Sequence, residues 1–177
     1  MLPALVDVGV SAYGVKGDGV SDDSAALTAA IASAPVGGTV LLGPNTYRLS
    51  APLAITKQVT LQGAGGAGDY APTVLLCDGG QPALVFSGNP GGWASVRDVA
   101  IRASAKVAGV HGVKVRAHGV RLEGLNLSGG GGDGININSD DWPGGSNANN
   151  WRLSSCRVTG CGGHGLFVRG SDANAGL

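Results

Sequence analysis

Three ionisable side chains occupy equivalent places in a repeating pattern. His111, Asp133 and His164 each stand directly before a glycine (Gly112, Gly134, Gly165), and each glycine opens an apolar–X–apolar triplet: Val113-Lys-Val115, Ile135-Asn-Ile137 and Leu166-Phe-Val168. An imidazole exchanges protons near neutral pH and a carboxylate can hold or share a proton beside it. Asp133 and His164 are therefore the candidate acid and base. If the apolar residues of the triplets point inward, their neighbours point outward. Lys114, Asn136 and Phe167 then form one column, and Arg116, Asn138 and Arg169 another. His111, Lys114, Asn136, Asn138 and Arg169, with the adjoining Asp140-Asp141-Trp142 loop, are the candidate substrate-binding residues. Amides and charges bond hydroxyls and carboxylates, and the indole of Trp142 offers a face for a pyranose ring, so the stripe suits a sugar chain. Asp133, Asp140 and Asp141 are also oxygen donors of the kind a hard cation takes. No cofactor and no metal site is expected, calcium being the one alternative left open.

The elements that must position these groups are short strands. Leu122-Glu-Gly-Leu125-Asn-Leu127 matches Leu153-Ser-Ser-Cys156-Arg-Val158, with Val96-Arg-Asp-Val99-Ala-Ile101 as an earlier copy. Ala83-Leu-Val-Phe86 supplies an earlier version of the glycine-led triplet. One such coil cannot bury its apolar positions alone, whereas stacked coils bury Ile135 under Leu166 and Ile137 under Val168. The glycines are expected at bends that need left-handed backbone. Upstream, Ser21-Asp22-Asp23 offers an N-cap and carboxylates for a first helical turn. Leu27, Ala30, Ile31 and Ala34 form one stripe, and Pro35 with Gly37-Gly38 stops the helix. From Thr39 onward the period is two: 39–42, 46–49 and the alternating Leu53, Ile55, Val59 and Leu61. The expected fold is all-β, a right-handed parallel β-helix with a short capping α-helix over about 22–34. Residues 1–65 form the cap and first strands, and 66–177 the coils of one continuous domain. The tail Asp172-Ala-Asn-Ala-Gly-Leu177 has no capping pattern, which implies a longer β-helix or a covering partner.

Composition narrows the function classes. Lys plus Arg and Asp plus Glu are 12 each, without a basic run, so nucleic acid is not an expected partner. Glycine is abundant, 33 of 177 residues, but has no collagen period and alternates with apolar strands, which marks turns and not a disordered linker. No apolar run is long enough to span a membrane and no signal peptide is visible. Cys77, Cys156 and Cys161 are odd in number and lack framework spacing. They are expected as small core residues, with a Cys156–Cys161 bridge the one alternative.

The stretch from about 7 to 65 carries a resemblance. Tyr13-Gly-Val-Lys-Gly-Asp-Gly-Val-Ser-Asp-Asp-Ser24, Ala29-Ala-Ile31, Gly37-Gly-Thr-Val-Leu-Leu42, Thr46-Tyr47 and Val59-Thr-Leu-Gln-Gly-Ala-Gly65 resemble the opening of pectate-lyase-superfamily proteins. That group includes rhamnogalacturonase- and epimerase-like proteins, polygalacturonases and phage tailspikes. The resemblance implies the β-helix and an acidic polysaccharide as partner, handled by a lyase- or glycoside-hydrolase-like enzyme. The alternative is a non-catalytic tail spike or surface adhesin with the β-helix as a carbohydrate-binding stalk, trimeric if tailspike-like. Either implies an extracellular setting, secreted or on a virion. Asp22 and Asp23 fall in the cap, where helix-terminus chemistry accounts for them.

Cys161-Gly-Gly-His164-Gly-Leu166 is similar to the GGHG segment of polygalacturonases, which places His164 on that family's histidine. Asp133 then falls on the first member of a paired-Asp segment, but Gly134 occupies the second place and His111 an earlier Asp position. Mannuronan epimerases carry a Tyr-Gly-Phe-Asp-Pro-His string where this chain has Asp133-Gly-Ile-Asn136-Ile-Asn138; the two amides cannot serve as acid or base.

Overall fold

Among the described residues, seventeen strands and one α-helix wind into coils whose strands stack in parallel. The computed structural model describes residues 5–7, 11–66, 70–88, 93–138, 148–170 and 173. Sheet A holds β1 (Leu5–Asp7), β3 (Gly38–Leu41), β6 (Val59–Gln62), β9 (Ser95–Arg97), β12 (Arg121–Glu123) and β15 (Arg152–Ser154). Sheet B holds β2 (Asp18–Asp22), β4 (Thr46–Leu49), β7 (Val74–Cys77), β10 (Ala100–Ala108), β13 (Asn126–Gly131) and β16 (Arg157–Thr159). Sheet C holds β5 (Leu53–Ile55), β8 (Leu84–Ser87), β11 (Val113–Arg116), β14 (Ile135–Asn138) and β17 (Leu166–Arg169). From β4 onward each strand pairs with the one three places along the chain. The chain is thus a right-handed parallel β-helix of about five turns.

Register is set by the apolar ladder. In sheet C, Leu53, Leu84, Val113, Ile135 and Leu166 are successive partners, as are Ile55, Phe86, Val115, Ile137 and Val168. Sheet A stacks Val40, Leu61, Val96, Leu122 and Leu153, and sheet B stacks Tyr47, Leu75, Ile101, Leu127 and Val158. A one-residue slip would turn a whole row of these out of the core, so pairing is strongly specified. The aligned triplets that the sequence suggests are present, partner for partner. Leu166 and Val168 continue the inner rows but are 42% exposed, because β17 is the outermost rung of sheet C.

The helix α1 (Ser24–Ser33) closes the other end of the core, packing on β5 with Leu27, Ala30 and Ile31 buried. Lys57 Nζ donates to the carbonyls of Ala32 (2.6 Å) and Ala34 (2.5 Å), placing a cation at the negative end of the helix. Its N-terminus differs from the expectation. Residues 18–22 are strand β2, Asp23 is the N-cap without a side-chain capping bond, and the first turn has no acidic residue. Asp22 instead accepts from Ser24 N (3.1 Å), Ser24 Oγ (2.6 Å), Ser50 N (3.0 Å) and Ser50 Oγ (2.5 Å), tying the cap to the end of β4. Those bonds hold its carboxyl far below the usual carboxylate range. Asp23 is buried and accepts from the backbone of Lys16 (2.7 Å) and Gly17 (3.0 Å).

Gly112, Gly134 and Gly165 do not adopt positive φ, contrary to the left-handed bends expected of them. Gly112 and Gly134 are small because the next coil passes close by, whereas Gly165 has room for a Cβ. A Cβ on Gly112 would lie 2.6 Å from Leu127 Cδ1 and 2.8 Å from the Gly134 carbonyl. One on Gly134 would strike Val158 Cγ1 and lie 2.9 Å from the Gly165 carbonyl. All three cysteines are free; burial, then the charge of Asp78, pushes the Cys77 thiol up to about 12.

Candidate functional site

Stacking of β11, β14 and β17 brings the three residues before the glycines together. The loop leading into β14 places Asp133 between the two histidines, each ring Nδ1 being 3.1 Å from one of its carboxylate oxygens. Asp133 Oδ1 accepts from the backbone N–H of His164 (2.9 Å) and faces His164 Nδ1. Oδ2 accepts from Asn136 Nδ2 at 2.6 Å. Burial alone would raise the carboxyl pKa; the bonds from His164 and Asn136 and the charge of His111 outweigh it, so Asp133 lies below its ordinary value. An ionised carboxylate only accepts hydrogen bonds, so His164 Nδ1 carries the proton. In the neutral ring the lone pair is then on Nε2. The His164 side chain is 69% exposed, and its ring leans on Phe167 with centroids 5.4 Å apart.

His111 is held differently. Its Nδ1 is 3.0 Å from the backbone N of Asp133 and accepts from it when the ring is neutral, which puts the ring proton on Nε2. The two imidazoles therefore meet Asp133 differently, His164 bonding its carboxylate with ring and backbone N–H, His111 facing its backbone N–H as well as its carboxylate.

Beneath them runs a buried polar chain. Arg116 Nη2 donates to Asn136 Oδ1 (2.8 Å), while Arg116 Nη1 donates to the carbonyls of Val115 (2.9 Å) and Asn136 (3.1 Å). Only one orientation of the Asn136 amide can accept from a guanidinium and donate to a carboxylate at once. Asn136 thus links a buried cation to a nearly buried anion.

The sequence places Asn136, Asn138 and Arg116 on an outward, solvated face. The columns are in the expected register, Lys114 beside Asn136 beside Phe167, and Asn138 beside Arg169. Their exposure is not as expected: Asn136, Asn138, Arg116 and Asp133 are all buried, and both faces of β14 are shielded from water. Strand alternation shows which side of a sheet a residue takes, not whether anything covers that side. Lys114 is half-buried and Arg169 exposed. Asp140, Asp141 and Trp142 lie outside the described residues. Among the described residues no group of three or more His, Cys, Asp or Glu side chains is placed to hold a metal ion. No helix among the described residues is long and apolar enough to cross a membrane.

Sequence reasoning missed a second cluster, on sheet A. Trp93 holds a left-handed backbone (φ 76°) and is 45% exposed; the Arg121 guanidinium lies 4.7 Å from its ring centroid, and His118 meets it edge-on at 6.3 Å. Arg121 pairs in register with Arg152. The signal was present in the Arg-Leu dipeptides at 121–122 and 152–153, which recur in two successive coils.

This coil architecture, with a helical cap and a polar stripe on one sheet, defines a class of parallel β-helix proteins. The chain belongs to the rhamnogalacturonase A/epimerase, pectate lyase-like family, whose model matches residues 8–104, more than half of it. It is 46% identical over 69 residues to the mannuronan C5-epimerase AlgE6 of Azotobacter vinelandii, a match covering 34% of this chain and 8% of that protein. Among solved structures, ORF18 of Geobacillus virus E2 is similar with a TM-score of 0.58 and 19% identity, over 91% of this chain and 42% of that one. PfbA, a surface adhesin of Streptococcus pneumoniae, is similar with a TM-score of 0.60 and 16% identity, over 90% and 39%. At these identities the likeness to the two structures is one of fold. The family match ends before His111, Asp133 and His164.

Proposed function

We propose that the sheet C face processes an acidic, uronate-containing polysaccharide by proton transfer, with His164 Nε2 as the base. The observation that carries this is the contact of His164 Nδ1 with ionised Asp133, which presents a basic nitrogen on an exposed ring. Asp133 is then a positioning residue. Asp133 is the one carboxylate among the described residues of β8, β11, β14, β17 and the turns before the last three. Two-carboxylate hydrolysis is therefore less suited to this face than elimination. In elimination, His164 takes the C5 proton of a uronate, the C4–O bond breaks as a C4–C5 double bond forms, and the leaving oxygen takes a proton from His111 Nε2 or water. Lys114 is on hand to neutralise the uronate carboxylate, which stabilises the charge that develops next to C5. Family membership and the epimerase relative support a polysaccharide as substrate. An extracellular or virion-borne setting is consistent with that substrate.

A second reading has its own observation. Arg116, Asn136 and Asp133 bond to one another and are buried, so part of the stripe serves to hold strands together. On this reading the β-helix is a non-catalytic carbohydrate-binding stalk, as in an adhesin or tail spike. Incubation with pectin and alginate separates the two. Under the first reading unsaturated uronides form, His164→Ala abolishes them, and Asp133→Asn cuts turnover by roughly 100-fold or more while the protein stays folded. Binding without any product would decide for the stalk.

A further inference from the structure

We propose that the outer face of sheet A is a separate binding site for an anionic sugar, formed by Arg121, Arg152 and Trp93. The first observation is electrostatic. Arg121 and Arg152 are directly aligned partners on neighbouring parallel strands and both are exposed. Like charges at neighbouring-strand spacing, about 4.8 Å, repel. Among the described residues no carboxylate pairs with either guanidinium. The adjacent column, by contrast, alternates in sign: Arg97 stands beside Glu123, and Arg97 also donates to Gln62 Oε1 at 2.7 Å. A bound anion would relieve the repulsion in the first column; one carboxylate or sulfate can accept from both guanidinium edges.

The second observation is the indole. A guanidinium stacked on an aromatic ring keeps its N–H donors in plane and pointing away, so Arg121 is held without using up its hydrogen-bonding edge. Trp93 takes a backbone conformation that is costly for a bulky residue, and almost half of its surface stays in water. His118 braces its edge. A flat apolar face beside the Arg121 fork, with Arg152 aligned on the next strand, matches a sugar ring that carries an acidic group. Arg121, Glu123, Arg152 and Ser154 line a depression between the two arginine strands, which Trp93 does not line. The choice of a sugar over other anions rests on the reading of the sheet C face.

The site is tested by calorimetric titration of the full chain with an oligogalacturonate, an oligomannuronate and a neutral glucan oligosaccharide. Arg121→Ala, Arg152→Ala and Trp93→Ala are compared with Arg97→Ala and His164→Ala, folding being checked by circular dichroism. Each arginine variant is expected to lose about tenfold or more in affinity for an acidic oligosaccharide, the loss of one charged hydrogen-bonding group. Arg152→Glu should lose more, Arg97→Ala little, and raised salt should weaken wild-type binding. If wild type binds an acidic oligosaccharide and the Arg121 and Arg152 variants bind it equally well, this site is refuted while the sheet C reading stands. Equal affinity for the neutral glucan refutes it as well. Loss of turnover in His164→Ala with binding intact there, and the reverse in Arg152→Ala, would establish two independent sites.

Discussion

At the scale of single residues, the protein's polar groups do their work in linked sets. Asn136 is the clearest case, because it bonds Arg116 with one end and Asp133 with the other. Removing it leaves a buried guanidinium and a shielded carboxylate each short of a partner. Asn136→Ala is expected to cost about 2 kcal/mol or more in urea unfolding, beyond the typical cost of an exposed amide. A second expectation concerns the tautomer of His164: nitrogen-15 NMR should show the neutral ring protonated at Nδ1, and Asp133→Asn should shift that preference. Acid brings a third. The folded-state pKa values of Asp22 and Asp133 lie below their ordinary values, so both carboxylates add stability above the unfolded-state value of about 4. That contribution fades as pH falls below about 4 toward the folded-state values. Urea midpoints measured between pH 7 and 3 should fall, and less so in Asp22→Asn, which has already lost the ionised acceptor.

At the scale of elements, much of sheet C was legible in the sequence. The triplets after Gly112, Gly134 and Gly165 repeat, and a parallel ladder aligns such repeats. The copies at 122–127 and 153–158 were found for the same reason. Strands β2 and β7 were not, since Asp18–Asp22 is polar and turn-like and Val74–Cys77 has no marked repeat partner. Glycines such as Gly109, Gly119 and Gly160 do take the left-handed backbone expected at bends, but Gly112, Gly134 and Gly165 do not. A sequence shows that a side chain is absent, not whether φ or a neighbour requires it. The difference can be measured. Gly134→Ala meets Val158 and the Gly165 backbone and should destabilise by about 1–3 kcal/mol. Gly165→Ala meets only ordinary contacts, 3.8 and 3.9 Å from Val158, and should be nearly neutral in the same thermal or urea measurement.

At the scale of the whole molecule, the β-helix is a frame that carries polar side chains on its outside. Its apolar rows fill the interior from Leu27 of the cap to Ile137 and beyond, which leaves side chains on the outer faces at fixed intervals along one axis. An extended polymer meets such a surface repeat by repeat, as it could not meet a closed pocket. The candidate site was legible as a row of residues but not as a triad, because the bonds among His111, Asp133 and His164 arise only when three coils are stacked. Backbone and side-chain NMR shifts of the full chain, followed during titration with an oligouronate, test the sugar track most directly. The expected result is saturable movement of the His164, Lys114 and Phe167 resonances, lost in His164→Ala. Fixed resonances at those three residues, under sugar concentrations that saturate any binding elsewhere, would contradict it.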